Sequence, residues 1–384
     1  MSTRSAIIVG GGIGGLSAAL ALHRTGWRVT VLERAPELRE VGAGLTLMAN
    51  ALRGLDALGL ADAVQARGRA EAPGGIRTST GRWLSRVDGA AMTRLLGTTA
   101  LGIHRATLHG ILHDALPPSA LLTGAEVVDV GPDPVVHYLH RGERSTARAD
   151  LVVGADGLNS VVRSTLWPDA PPPVYSGSTA WRAVTRWDGP LPTAISWGPG
   201  AEFGMVPIGD HDVYWFGAVN APPGERASDE LAEVRSRFGT WHEPIPALLA
   251  ATPAGAVLRN DIYHLGTPLP TYVKGRVVLL GDAAHAMTPN LGQGACQAIE
   301  DAVVLGSACA GDPDLDAALS SYDRQRRPRT QQIARASLRI GRSGQQLRNP
   351  LGVALRNAVM RLTPPRAALR SMARYADWHP PAGR

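Results

Sequence analysis

At roughly 100–200 residues per domain, a chain of 384 residues holds two domains, and 44% hydrophobic with 19% charged residues excludes a disordered polymer. Two cysteines, Cys296 and Cys309, exclude a disulfide-built scaffold and a multi-cysteine metal cluster. Of the 39 basic residues only Lys274 is a lysine, and the net charge of +6 is uneven: fourteen arginines from Arg324 to Arg384 face one acid, Asp377, a local +13 that leaves −7 for the first 323 residues. The basic character belongs to the tail, so no nucleic-acid partner is expected.

Ser5 to Leu22 is apolar behind Arg4, but glycines at 10, 11, 12, 14 and 15 interrupt it. Glycine costs about 1 kcal/mol per helical position, so a secretory signal is excluded. The segment reads instead as a strand (6–9), a glycine turn, a helix (14–24) closed by Gly26, and a second strand (28–32). Gly10-x-Gly12-x-x-Gly15 fits a dinucleotide fingerprint: glycines make the tight turn, admit a pyrophosphate and pack helix on sheet. The helix N-terminus offers free N–H groups and a positive dipole end to the phosphates. Glu33 closes the second strand, where a carboxylate accepts ribose hydroxyls, which favours FAD or NAD over NADP. No other stretch approaches the roughly 18 apolar residues of a membrane span, and a cytoplasmic protein is expected.

Two later strands end in acids. Ala149–Val153 leads into Gly154-Ala155-Asp156-Gly157, and Val277–Leu280 into Gly281-Asp282-Ala283-Ala284-His285. After the second come Pro289 and Gly292-Gln293-Gly294-Ala295-Cys296, opening a helix over about 294–310. A glycine-rich helix start puts N–H groups and a dipole beside a ring that becomes anionic on reduction.

With these motifs the sequence resembles the class A FAD-dependent aromatic monooxygenases, the p-hydroxybenzoate and salicylate hydroxylase family. The likeness extends through Val41-Gly42-Ala43-Gly44-Leu45, Asn50-Ala51, His104-Arg105, Glu300-Asp301-Ala302 and Tyr322-Asp323-x-x-Arg326. It implies an α/β fold: a Rossmann-like FAD-binding domain (1–75, 100–170 and 268–311), an inserted antiparallel-sheet substrate domain (76–99 and 171–267) and a C-terminal helical tail (312–384). It also implies that Gly10, Gly12, Ile13, Gly14 and Gly15 cradle the pyrophosphate, that Glu33 holds the adenosine ribose and that Arg34 lies against the adenine. Arg105 then reaches the pyrophosphate or ribityl region and Val127 meets the adenine end. Asp156 serves FAD and reductant binding, Asp282 the ribityl chain, and Pro289 with Gly292–Cys296 the isoalloxazine. Cys296 is expected to pack beside the ring rather than react. The implied reaction uses NAD(P)H as transient reductant and O2, and hydroxylates an aromatic or heteroaromatic small molecule through a C4a-hydroperoxyflavin. A flavin epoxidase or decarboxylating hydroxylase on the same fold is the alternative enzyme. A non-catalytic flavin-binding partner or redox sensor is the alternative of another class. No metal is expected.

Between the two acidic motifs, runs over 178–186, 193–197, 203–207 and 213–220 alternate like half-buried strands. All three phenylalanines and five of nine tryptophans fall between 181 and 241. Such a sheet roofs an apolar substrate pocket. Its wall is expected from Tyr214 or Trp215, with Arg182 and Phe203, and Glu202 and His211 are further polar handles. No residue is assigned as general base, because the oxygen donor is the cofactor. In the tail, 315–322 and 325–342 read as two helices. A stripe of Leu351, Leu355, Ala358, Val359 and Leu362 follows, expected to pack on its own domain or in a homodimer rather than on a membrane.

Overall fold

The computed structural model describes all residues except 1–2, 39–42, 72–73, 87, 132, 312–313 and 382–384; Val41 and Gly42 of the motif above therefore lie outside the described residues. The expected first unit is present: a strand Ser5–Val9, a helix Ile13–Arg24 and a strand Arg28–Glu33. Ser5–Val9 pairs in parallel with Arg28–Glu33 on one side and Leu151–Gly154 on the other. Leu121–Thr123 and Val277–Leu279 extend the sheet outward in parallel, and the short Val273–Lys274 closes it antiparallel. Strands buried on both faces read as continuous apolar runs, which is why Ile7-Ile8-Val9 and Leu151-Val152-Val153 were legible without alternation. Helix Ile13–Arg24 packs against helix Gly294–Gly311, the second carrying the glycine-rich start. This brings residues almost 300 positions apart to the same end of the sheet.

The second layer is a seven-stranded sheet ordered Leu258–His264, Val174–Arg186, Asp212–Asn220, Ala201–Ile208, Ala194–Gly198, Gly75–Thr78 and Trp83–Arg86. One face carries its own core, in which Trp181, Phe203, Met205 and Trp215 pack with Phe238, Leu248 and Leu249 from helices Glu230–Phe238 and Ile245–Ala251. The other face turns toward the parallel-sheet domain: Tyr214 stands against Gly44, and Val206 and Ile208 against Gly102. A Cβ on Gly44 would stand 2.3 Å from that of Tyr214, so the glycine permits this close approach of the two layers.

The tail differs from expectation in two ways. Residues 315–343 form one helix of 29 residues, Leu315–Ser343, with Pro328 inside it. Proline removes one backbone N–H and crowds the preceding turn, but Arg326 and Arg329 tie this stretch to Glu300 and Asp301 of the neighbouring helix, Arg327 pairs with Asp323 one turn back within the helix, and the helix runs unbroken through both 323–324 and Pro328. The stripe on helix Pro350–Leu362 does not pack on its own domain. Leu351 and Leu362 are each 82% exposed, with Leu355 and Val359 also exposed, while Arg356 stacks inward over Trp197. Among the described residues no helix is long and apolar enough to cross a membrane.

Candidate active site

The glycine turn is built as its chemistry requires. Gly10 has φ +102°, and a Cβ there would stand 2.6 Å from the Ala155 carbonyl oxygen. A Cβ on Gly15 would sit 1.9 Å from the Gly10 oxygen, and one on Gly14 would press on Leu280 and Ala298 of the neighbouring strand and helix. Gly12 is different: no atom lies within 4 Å of its Cβ position. Three glycines therefore serve packing, and Gly12 faces open space at the N-terminus of helix Ile13–Arg24, which has no side-chain cap. Uncapped N–H groups facing open space are what a pyrophosphate needs. Ile13 is buried behind them.

Glu33 accepts hydrogen bonds from the Gly11 N–H at 2.7 Å and the Ala35 N–H at 2.8 Å. It fixes the turn as well as ending the strand. His109, absent from the sequence expectations, meets the Gly11 carbonyl oxygen at 2.6 Å from helix Arg105–Asp114. Nothing in its local sequence marks it, since the contact spans 98 residues. Arg34 and Arg105 are exposed, and Arg105 opens its helix with its N–H on the Ala43 carbonyl at 2.8 Å. Val127 is buried in the main core and pairs with Tyr138 on the neighbouring strand, so its side chain is closed to a ligand.

The two acids divide. Asp156 turns inward: it accepts from Ser160 Oγ at 2.6 Å, the residue that caps helix Val161–Leu166, and from the Val162 N–H at 3.1 Å in its first turn. Burial pushes its carboxyl up, and these hydrogen bonds pull it back. Buried Arg163 then donates to the carbonyls of Ala283 and Leu158, locking the Asp156 turn to the Asp282 turn. Asp282 itself is exposed at the start of the short helix Asp282–His285, free to take a ligand hydroxyl. Pro289 opens a one-turn helix, Pro289–Leu291, and Gly292 follows in the left-handed region at φ +62°. A Cβ on Gly294 would meet nothing within 4 Å, so the first turn of helix Gly294–Gly311 also opens onto free space. Ala295 is half-buried behind it. Cys296 is fully buried, and burial pushes its thiol up to about 12. A thiol that stays protonated does not act as a nucleophile, as expected for a packing role.

Beneath this helix start lies a buried polar network that the motifs touched but whose connections were not legible. Asn50 Nδ2 donates to Gln293 Oε1 at 2.9 Å and to Glu300 Oε1 at 2.6 Å, and Gln297 Nε2 donates to the same two oxygens. Arg326, 1% exposed, bonds Glu300, Gln297 and Asp301. Asp301 also accepts from the Gly281 N–H at 2.9 Å and pairs with His285 at 2.6 Å. Burial alone would raise the Asp301 carboxyl, but the charges of His285 and Arg326 hold it at about 2. The network ties together both glycine-bearing segments, Gly281-Asp282 and Gly292–Gly294, through fully desolvated charges.

The substrate sheet corrects three expectations. Successive side chains on a strand point to opposite faces, so Tyr214 and Trp215 cannot share a wall. Trp215 lies in the sheet's own core, donating to Thr185 and Thr252 at 3.0 Å each, and Phe203 stacks on it at 5.4 Å. Neither lines a pocket on the flavin side. His211, paired with Asp188 at 2.8 Å in an exposed turn, does not either. Strand register instead puts Tyr214, Phe216, Arg182, Glu202, Trp197 and Ile195 on one face, the one turned to the parallel-sheet domain. Here burial pushes the Tyr214 phenol up and the neighbouring Arg182 charge pulls it back, while Arg182 itself donates to Asn260 Oδ1 at 3.2 Å. All but Glu202 of these six are only half-buried, in contrast to the sealed opposite face. A narrow cleft between Ser178 and Ile262 of this sheet and Thr288 and Asn290 connects the face to the segment before Gly292.

An FAD-binding domain model matches residues 3–337. The chain is 41% identical over 363 residues to the aurachin C monooxygenase/isomerase of Stigmatella aurantiaca, covering 93% of each chain. It is 32% identical over 365 residues to the 2-heptyl-3-hydroxy-4(1H)-quinolone synthase of Pseudomonas aeruginosa, covering 93% of this chain and 94% of the relative. The crystal structure of Klebsiella pneumoniae HpxO with FAD and uric acid superposes with a TM-score of 0.90 at 26% identity, over 97% and 96% of the two chains. The chain belongs to the FAD-binding-domain family, within the class A flavin monooxygenases. It is an FAD-dependent monooxygenase, with NAD(P)H the usual reductant of its class.

Proposed function

We propose that this enzyme hydroxylates a planar heteroaromatic small molecule held between the Gly292–Gly294 helix start and the Tyr214 face of the seven-stranded sheet. FAD, when bound, supplies electron transfer from NAD(P)H and activation of O2. The protein's part is placement. Gly10, Gly12, Ile13, Gly14 and Gly15 present the first helix N-terminus to the pyrophosphate, with Glu33 and Arg34 at the adenosine and Arg105 beside the phosphates. Asp282 takes the ribityl hydroxyls. The N–H groups from Gly292 to Cys296, with Pro289 and Gln293 shaping the turn, support negative charge on the ring when it is reduced. Asp156 acts through the turn it holds. The single observation that carries this reading is that the open positions at Gly12 and Gly294 begin two helices packed on each other, with Met48 against Gly292 and Tyr214 of the half-buried sheet face against Gly44.

The division into residues 1–75, 100–170 and 268–311 for the flavin, 76–99 and 171–267 for the substrate and 312–384 for the tail belongs to the same reading. So do a cytoplasmic location and a monomeric or homodimeric state, with the exposed Leu351–Leu362 stripe as the surface a second copy would cover. Relatives are named both for a quinolone and for hydroxybenzoates, and one structural neighbour holds uric acid; of these classes we take the nitrogen heterocycle. The test is a panel of phenols, benzoates and heteroaromatics screened for stimulation of NAD(P)H oxidation, with product mass measured. A heteroaromatic that stimulates turnover and gains one oxygen is expected. Stimulation confined to benzoates, or none at all, contradicts the reading.

A further inference from the structure

Glu202 has no role in the chemistry above, yet its position is unusual. It sits on the substrate face of strand Ala201–Ile208, opposite Ala218 on one neighbouring strand and Trp197 on the other. It is 6% exposed. A carboxyl this deep needs hydrogen-bonding partners, and the protein supplies one: the Trp197 indole N–H donates to Oε2 at 3.0 Å. Among the described residues Oε1 takes no hydrogen bond, and it is not one of the sealed, unpaired atoms either. It therefore keeps residual access on the sheet face that Glu202 shares with half-buried Phe216, Ile195 and Arg182. Among the described residues no cation pairs with it. The charged and titratable groups on the elements around it are Arg348, which stands against Gly200 and donates to the Asn220 carbonyl, Arg356, stacked over Trp197 at 5.2 Å, and Arg182 and Tyr214, further along the same face. Gly344 and the uncharged Gln345 cover the face at its end. Only burial, raising its carboxyl to about 7, and the Trp197 hydrogen bond, lowering it, act on Glu202 appreciably.

An acceptor in an apolar pocket with one oxygen available calls for a donor on the ligand. Resting on the proposed function, we propose that Glu202 is the specificity-determining residue of the substrate pocket, with Oε1 accepting a ring N–H from a neutral nitrogen heterocycle while Arg182 and Tyr214 meet an acceptor at the opposite end of the ring. A site built to accept an N–H rejects an isostere that lacks it far more strongly than an apolar pocket rejects a lost methylene, because the buried carboxylate is then left unpaired. The same charge disfavours benzoates.

Binding is read by perturbation of the flavin absorbance in the holoenzyme, using 4(1H)-quinolone, its N-methyl derivative and chromone, which replaces N–H by O. The wild type is expected to bind the N–H ring about 10- to 100-fold more tightly than the other two. That affinity should rise with pH through about 7 as the carboxyl ionises. Glu202→Gln removes the pH dependence, and Glu202→Leu levels the three ligands to within about threefold. Trp197→Phe, which removes the donor to Oε2, moves the pH inflection upward while sparing the preference, a shift that a merely structural role would not produce. Equal binding of the three by the wild type, or an unchanged ratio in Glu202→Leu, overturns the proposal. N–H-selective binding without oxygen in any product leaves this subsite standing and overturns the functional reading instead.

Discussion

The flavin end and the substrate sheet are built by opposite means. At the flavin end the working groups are backbone N–H groups and glycine vacancies, and side chains such as Glu33, Asp156, Arg163 and Arg326 hold that backbone in place. On the sheet the backbone is ordinary ladder and the working groups are side chains: Tyr214, Arg182 and Glu202. The difference teaches where each end tolerates change. A backbone site is lost when a Cβ is added, whereas a side-chain site can be re-tuned residue by residue.

Substitutions that cross this division test it, beginning with the largest effect. Gly15→Ala forces a Cβ against the Gly10 oxygen and is expected to yield protein purified without flavin, with FAD affinity down more than about 100-fold. Gly12→Ala sharpens the point: its Cβ meets nothing in the protein, so the flavin-stripped variant should melt with the flavin-stripped parent while still losing FAD affinity. Equal losses of apoprotein stability in both variants would contradict separate packing and binding glycines.

Arg326→Met should cost about 3–5 kcal/mol in urea unfolding, because it leaves the buried Glu300 and Asp301 short of a cation. A loss under about 1 kcal/mol would mean that Arg329 and His285 neutralise them alone.

Glu202→Gln should change stability in a pH-dependent way. The carboxyl titrates at about 7 in the folded protein against 4.5 unfolded. Between those values the native state keeps a proton that the unfolded chain releases, so wild-type stability falls as pH rises through that window. The variant escapes this loss and should gain of order 3 kcal/mol over the wild type at pH 8, with little difference at pH 4. A constant offset across the range would contradict a buried, titrating acid.

The smallest effects separate the two faces of the sheet. Tyr214→Phe should weaken ligand binding about fivefold with little change in melting point, by removing one hydroxyl contact. Trp215→Phe should lower the melting point and leave ligand affinity within about twofold, because it removes the indole donor shared by Thr185 and Thr252 and leaves a void on the sealed face. Exchange of the two phenotypes would invert the assignment of faces.

The same contrast explains what the sequence made legible. Backbone function demands glycine at fixed spacing, and buried parallel strands demand unbroken apolar runs, so Gly10–Gly15, Asp156-Gly157, Gly281-Asp282 and Gly292–Gly294 stood out and the fold followed. Side-chain function on the sheet depends on which of two faces a strand turns inward. Aromatic residues crowd both faces here, so Trp215 and Phe203 read as pocket wall when they are core. The register that separates them from Tyr214 is set by pairing across strands, not by local pattern. Pairings such as Asn50–Glu300, Glu300–Arg326 and Gly11–His109 join distant segments and leave no local trace. Residues 315–322 and 325–342 read as separate helices, because the anchors on Glu300 and Asp301 that hold Leu315–Ser343 as one helix are tertiary and leave no local mark.

The central claim is that the two ends form one oxygenating site. The most direct test is turnover of the best panel substrate with NAD(P)H under 18O2, followed by mass spectrometry of the product. A product heavier by two mass units than that made under 16O2, and unlabelled when only the water carries 18O, is the predicted result. NAD(P)H consumption that ends in hydrogen peroxide with the aromatic ring unchanged, or label arriving from water, would contradict it.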